Sequence, residues 1–148
     1  MIINGSKLFE LKPLDPMVNE KVREHGVSYG LGEAGYDIRI KQSLVMNSIE
    51  KFRLASTIEH FRMPKDLVAI VHDKSTWARQ GVSVFNTVIE PGWHGYLTLE
   101  VVYHGTGLIQ IPAGAGIAQV IFHRLLEFGD YGDGKYQNQE DQPIGPRG

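Results

Sequence analysis

From Gly35 onward, apolar and polar residues alternate in short runs that Gly, Pro, Asp and Asn interrupt. A period of two over four to ten residues predicts half-buried strands. The segments are YDIRIKQSLVM, FRLASTIEHFRM, LVAIVHD, VSVFNTVI, YLTLEVVYH, LIQIP and IAQVIFHRLLE. Many short strands at this spacing predict a mainly β fold, a distorted β-barrel or jelly roll, rather than a parallel α/β sheet. Few helices are expected. KSTWARQG, Lys74 to Gly81, predicts a single short one that Gly81 ends. DPMVNEKVREHG predicts another, with Asp15 as cap, Pro16 at the first helical position and Gly26 beyond the last turn. Its apolar stripe of Met17, Val18 and Val22 is thin.

The pattern fades after Gly129, where GDYGDGKYQNQEDQPIGPRG has almost no core formers. Residues 1–128 are therefore expected to form the β domain and residues 129–148 a mobile C-terminal arm. Composition alone also fits a frayed tail. Tyr131, Lys135, Tyr136 and Gln139 are residues with which an arm would fold over a charged, aromatic ligand.

Composition narrows the classes. A chain of 148 residues holds one domain with a real core. A net charge of −2 argues against nucleic-acid or membrane-surface binding through global charge. With no cysteine, disulfide scaffolds and thiolate metal sites are excluded. No apolar run is long enough to span a bilayer, and the first residues lack a signal-peptide layout. A cytoplasmic protein, cellular or virus-encoded, is the expectation. His72, His94, His104 and His123 stand at no metal-ligand spacing.

Two stretches carry candidate chemistry. In EPGWHGYLTLE, Glu90 to Trp93 suits a type II turn, with Pro91 second and Gly92 third. Leu97, Leu99, Val101 and Tyr103 then form the core face of a strand, which puts Glu100 on the more polar face with Thr98 and Val102. Periodicity alone makes Glu100 a solvated strand residue. In DKSTWARQG, Ser75 and Arg79 share a helical face, and Lys74 adds charge. That group suits an anion, and equally an ordinary cap by Asp73 or Ser75 beside a solvated Arg. Trp77 is expected to pack in the core.

GEAGYDIRI, DKSTWARQG, VIEPGWHGYLTLEVVYHG, PAGAGIAQVIF and GKYQNQ occur in this order. Together they resemble the dCTP deaminase branch of the trimeric dUTPase superfamily, over roughly residues 28–140. The resemblance implies a dUTPase-like β-clip, a homotrimer and nucleotide sites between subunits. By the same resemblance Glu100 is the catalytic carboxylate. Ser75 and Arg79 match the residues that hold the reacting-water region and the triphosphate, with Lys74 where Arg is usual. Trp93 matches an aromatic of the turn, Gln119 a glutamine shared with the dUTPases, and Lys135 and Gln139 the pair with which the arm closes over nucleotide.

The implied reaction is hydrolysis of dCTP to dUTP and ammonia. A Zn²⁺-bound water held by His and Cys is the better-known route for nucleobase deamination. Without Cys or an H-x-E motif, that route is closed here, and Glu100 in a dry site would activate the water. Mg²⁺ would enter with the triphosphate, coordinated by its oxygens and by water. Partners are thus a deoxynucleoside triphosphate and further copies of the chain, without nucleic acid or membrane. The segment FNTVI departs from the family pattern: Asn86, Thr87 and Val88 stand where a small residue and then a basic one near the pyrimidine are common. Glu90 replaces the usual Asp. These departures leave three alternatives: a modified cytosine as substrate, dUTP diphosphatase activity alone or combined with deamination, and a nucleotide-binding trimer without turnover.

Overall fold

The computed structural model describes all residues, 1–148. The chain opens with β1 (Ile2–Ile3), α1 (Gly5–Leu11) and β2 (Leu14–Asp15). Then come β3 (Lys21–Glu24), β4 (Val27–Leu31), β5 (Tyr36–Arg39), β6 (Leu44–Met46), β7 (Phe52–Arg62) and β8 (Leu67–Asp73). After α2 (Ser75–Ala78) follow β9 (Val82–Val84), β10 (Val88–Ile89), β11 (His94–Tyr103), β12 (Ile109–Ile111) and β13 (Gly116–Arg124). No helix is long and apolar enough to cross a membrane.

One sheet runs β10-β8-β13-β5-β4-β3, with β1 also on β13. A second runs β2-β7-β11-β9, and β12 pairs with β6. Every ladder is antiparallel. The inward faces meet in one apolar core that includes Tyr36, Ile38, Phe61, Leu67, Leu99, Ile111 and Phe122. This is the β architecture that the alternation predicts. Three predicted runs divide in detail: YDIRIKQSLVM gives β5 and β6, VSVFNTVI gives β9 and β10, and β13 stops at Arg124.

The expected helix over Asp15–Gly26 is not there. The segment instead holds the end of β2, a cis bond between Asp15 and Pro16, and β3. His25 and Gly26 both have positive φ, 56° and 75°, as a two-residue type I′ hairpin turn demands. β3 and β4 pair across it from Glu24–Val27 to Lys21–Gly30. Gly26 thus supplies the left-handed conformation that a helix end would also have used, which is why the sequence signal was ambiguous. Met17, Val18 and Val22 were too few to hold a helix against the core. The N-terminal helix is α1, which buries Leu8 and partly Leu11 and ends where Lys12 turns left-handed at φ 47° before Pro13. Its two turns are too short for a periodic signal.

Candidate active site in two clefts

The turn before β11 forms as expected: the Trp93 N–H donates to the Glu90 carbonyl at 3.1 Å, and Gly92 takes φ 75°. Leu97, Leu99, Val101 and Tyr103 then enter the core. A bulge between Tyr96 and Thr98 shifts the register against β7, and the Leu97 N–H there donates to Thr57 Oγ1 at 3.1 Å. Such a bulge re-aims the side chains beyond it.

The other face of β11 is only partly open to water. Phe52 and Leu54 stand across from Val102 and Glu100 on β7. The chain beyond Gly129 folds back over the same face. Thr98, Glu100, Thr87, Val88, Glu90 and Trp93 thereby line a cavity of about 590 Å³, with Tyr131, Tyr136, Gln139 and Ile144 from the C-terminal segment. Glu100 is half-buried, and no Lys, Arg or His pairs with it. Burial pushes its carboxyl pKa up, and only its own backbone N–H pulls it back. A carboxylate raised in this way can take a proton and return it. Periodicity found the strand but missed the cover, because the cover comes from residues some forty positions away.

The C-terminal segment is pinned to its own chain. Trp93 Nε1 donates to the Tyr136 carbonyl at 2.6 Å, and its ring packs against Phe61. Gln139 is 6% exposed and bridges Gly95, and the Tyr96 N–H donates to its carbonyl at 3.1 Å. Its amide donates to the Tyr96 carbonyl at 2.9 Å and to Thr98 Oγ1 at 2.8 Å. Lys41 holds Asp141 in an ion pair. The predicted nucleotide contact Gln139 is thus spent on holding the segment, and Lys135 is exposed, donating to the Arg147 carbonyl at 3.0 Å.

Gly95 makes this docking possible. Its φ is 147°, and a Cβ there would meet Gln139 N at 2.6 Å. We expect Gly95→Ala to release the segment. Strain of about 1–3 kcal/mol should raise trypsin cleavage after Lys135 roughly 5- to 150-fold, and an unchanged rate would show that the docking does not depend on Gly95.

The second cleft, of about 430 Å³, is polar. Lys74, Ser75, Gln119, Asp37, Asp73 and Ser28 line it. Lys74 is 9% exposed and its ammonium is ion-paired with Asp37. Ser28 Oγ and Gln119 Nε2 also donate to Asp37, at 3.3 and 3.4 Å. Neither Asp73 nor Ser75 caps α2: its N-cap is Lys74, without a side-chain cap bond. Asp73 Oδ1 instead accepts the Val84 N–H at 2.7 Å, which fixes the start of α2 against β9. Ser75 is left exposed on the cleft. Trp77 is a core residue, as expected, and donates to the Gly116 carbonyl at 2.7 Å.

The predicted residues therefore divide. Glu100, Thr87, Val88, Glu90, Trp93, Tyr131 and Gln139 surround the apolar cavity, while Ser75, Lys74 and Gln119 line the polar cleft. The two linings share no residue. Asn86 and Arg79 are exposed and line neither, and Lys135 lies outside both. Sequence reasoning missed Asp37, Thr98 and Ile144. A lysine at a helix start gives no sign that its partner is an aspartate 37 positions away. No group of three or more His, Asp or Glu side chains is placed to hold a metal ion.

A family model described as dCTP deaminase-like matches residues 36–125. The dCTP deaminase of Roseiflexus castenholzii is 35% identical, with 85% of this chain and 86% of that protein covered. That of Campylobacter jejuni is 36% identical over 88% of this chain and 87% of its own. Among solved structures, the 2′-deoxycytidine 5′-triphosphate deaminase of Agrobacterium tumefaciens superimposes with TM-score 0.65 at 17% identity, over 84% of this chain and 47% of that one. The EIAV dUTPase gives 0.58 at 18% identity, over 82% and 98%. These structural likenesses speak for the fold, and the sequence matches go further: the chain belongs to the dCTP deaminase-like family.

Proposed function

We infer that the protein deaminates dCTP to dUTP and ammonia, in a site that two copies of the chain complete. The observation that carries this is the division of the clefts. The cavity around Glu100 suits a pyrimidine but has no Lys or Arg in its lining, so it cannot neutralise a triphosphate. The cleft with Lys74 and Ser75 is polar and has almost no apolar wall. The two lysines of that cleft, Lys21 and Lys74, are paired with Glu33 and Asp37, but the exposed Arg79 at the end of α2 is unpaired and supplies the cation that the cavity lacks. A cyclic assembly places different surfaces of neighbouring copies against each other, which allows one copy's cavity to be completed by the next copy's α2 face. A homotrimer, as the family resemblance implies, satisfies this.

In the reaction, the Glu100 carboxylate takes a proton from water as the water oxygen bonds to C4 of cytosine. The C4=N3 electron pair moves to N3, which takes that proton from Glu100. Glu100 next accepts the proton of the new C4 hydroxyl and gives it to the amino group; the C4–N bond breaks, ammonia leaves and a carbonyl remains. Apolar walls and the folded C-terminal segment keep other water out. Ser75 of the neighbouring copy positions the attacking water, and its Arg79 binds the triphosphate. Mg²⁺ bound by the triphosphate of the substrate would screen its charge; no cluster of His, Asp or Glu on the chain is placed to hold the ion itself.

Purified protein with Mg²⁺ and either dCTP or dUTP tests the reading by chromatography. It predicts dUTP from dCTP and no change in dUTP. Formation of dUMP would make the protein a diphosphatase. Ser75→Ala should lower kcat roughly a hundredfold, as loss of a positioned donor does. Arg79→Ala should raise KM roughly ten- to a hundredfold, the worth of a charge-assisted contact. Wild-type kinetics in both variants would remove the α2 face from the site.

A further inference from the structure

We propose that Thr98 is a specificity-determining residue whose hydroxyl the C-terminal segment locks as a hydrogen-bond donor toward the base. This rests on the deaminase reading above. A threonine hydroxyl offers one proton and two lone pairs. Both acceptor positions of Thr98 are taken: by Gln139 Nε2 at 2.8 Å and by the Ile144 N–H at 3.1 Å. Neither donor is ambiguous. A backbone N–H can only donate, and turning the Gln139 amide over would set its oxygen against the Tyr96 carbonyl, which its Nε2 now meets at 2.9 Å. The hydroxyl proton is bound to no group of the chain, and Thr98 is 8% exposed on the cavity that holds Glu100.

A ligand group facing Thr98 must therefore accept. Donors at that position are rejected, because two protons would face each other in a dry site. Thr98 and Glu100 lie two residues apart on one face of β11. They consequently meet different ends of one pyrimidine edge. Glu100 serves position 4, where the reaction occurs, and Thr98 meets the 2-carbonyl oxygen. That oxygen is common to cytosine and uracil, so Thr98 selects a pyrimidine and fixes its orientation, while discrimination between the two bases falls to groups near Glu100. The two bonds from the segment hold that polarity, and the Ile144 N–H keeps one acceptor position filled when the Gln139 amide is absent.

Calorimetric binding of dCTP and dUTP tests this in a Glu100→Gln background, where dCTP is not consumed. Adding Thr98→Val should weaken both nucleotides by the same factor, about tenfold or more, and Thr98→Ser should restore binding to within about threefold. Gln139→Met removes one bond to the hydroxyl but leaves its proton, so it should cost less than Thr98→Val. In the Glu100-containing enzyme, Thr98→Val should raise KM with kcat nearly unchanged. Should Thr98→Val not fold, the wild-type protein should bind 2-thio-dUTP about tenfold more weakly than dUTP, since sulfur is the poorer acceptor. Equal losses in Thr98→Val and Gln139→Met would reduce Thr98 to a latch and overturn the proposal, as would binding within twofold of the parent or equal affinity for the thio analogue. These are binding readouts, so absence of dUTP from the wild-type enzyme would separately overturn the deaminase reading.

Discussion

Glu100→Gln should lower the deamination rate roughly a thousandfold, the scale of losing a positioned general acid–base, while nucleotide still binds. The amide keeps the shape of the side chain and cannot shuttle a proton. The same variant should gain stability near neutral pH. Burial raises the Glu100 pKa in the folded state. A raised folded-state value means that the stabilising contribution is full below the unfolded pKa and is lost as pH rises through the folded one. Near pH 8 the wild type keeps a desolvated charge that the variant lacks. Below about pH 4, using the ordinary Glu value, both side chains are neutral and close in shape. Thermal unfolding should therefore show a higher Tm for Glu100→Gln at pH 8 and no difference in acid. Activity, in turn, should fall on the acid side at a pH above the ordinary carboxylate range. A variant that turns over dCTP at the wild-type rate would take Glu100 out of the chemistry.

Arg39→Met should be strongly destabilising although it lies outside the cavity. Glu59 is fully buried on β7, where the Ile40–Thr57 bridge ties the two large sheets together. It accepts the Arg39 N–H at 2.9 Å and Arg39 Nε at 2.9 Å, and the guanidinium lies over the Tyr29 ring at 4.5 Å. Burial pushes the Glu59 carboxyl up, and the bonds from Arg39 pull it back. Removing the guanidinium leaves a buried charge without its partner, which costs about 3–5 kcal/mol. For a chain of this size Tm should fall by roughly 10 °C. The loss has a pH signature. Without Arg39 the folded-state pKa of Glu59 rises further above the unfolded value, so the deficit is largest at pH 8 and shrinks toward pH 5 as the carboxyl protonates. Replacing the charge as well, Arg39→Met with Glu59→Gln, keeps an acceptor for the Arg39 N–H and should recover most of the loss. An equal loss at both pH values, or no recovery in the pair, would show that Arg39 acts by packing alone.

The strands were readable from alternation because each turns one face to the core, a pattern that β8 keeps through Val71 and that β7, β11 and β13 each break with one run of three buried residues. Residues 15–26 were not. There the proline and the glycine were punctuation shared by a helix and a hairpin, and the apolar residues were too few to decide. The site was half readable. Glu100, Ser75 and Trp93 stand in local motifs, and the family resemblance picked them out of them. What local sequence cannot carry is the fold-back of the last residues. That fold-back turns the polar face of β11 into a cavity wall and engages Gln139 with Thr98 rather than with solvent. The pairing of Lys74 with Asp37 is equally non-local, and it leaves Ser75 and Thr76 as the polar groups of α2 still open to a ligand.

The central claim is that the two clefts are halves of one deaminating site, brought together from neighbouring copies. Mixing the Glu100→Gln and Ser75→Ala proteins, dissociating and reassembling them, and measuring dUTP formation from dCTP tests it most directly. Each mixed trimer would hold one site with an intact Glu100 from one copy and an intact Ser75 from the next. Random reassembly of equal amounts should thus return about a quarter of wild-type activity from two nearly inactive parents. If mass spectrometry finds mixed trimers and activity stays at the level of the parents, Glu100 and Ser75 do not meet across copies, and the account fails.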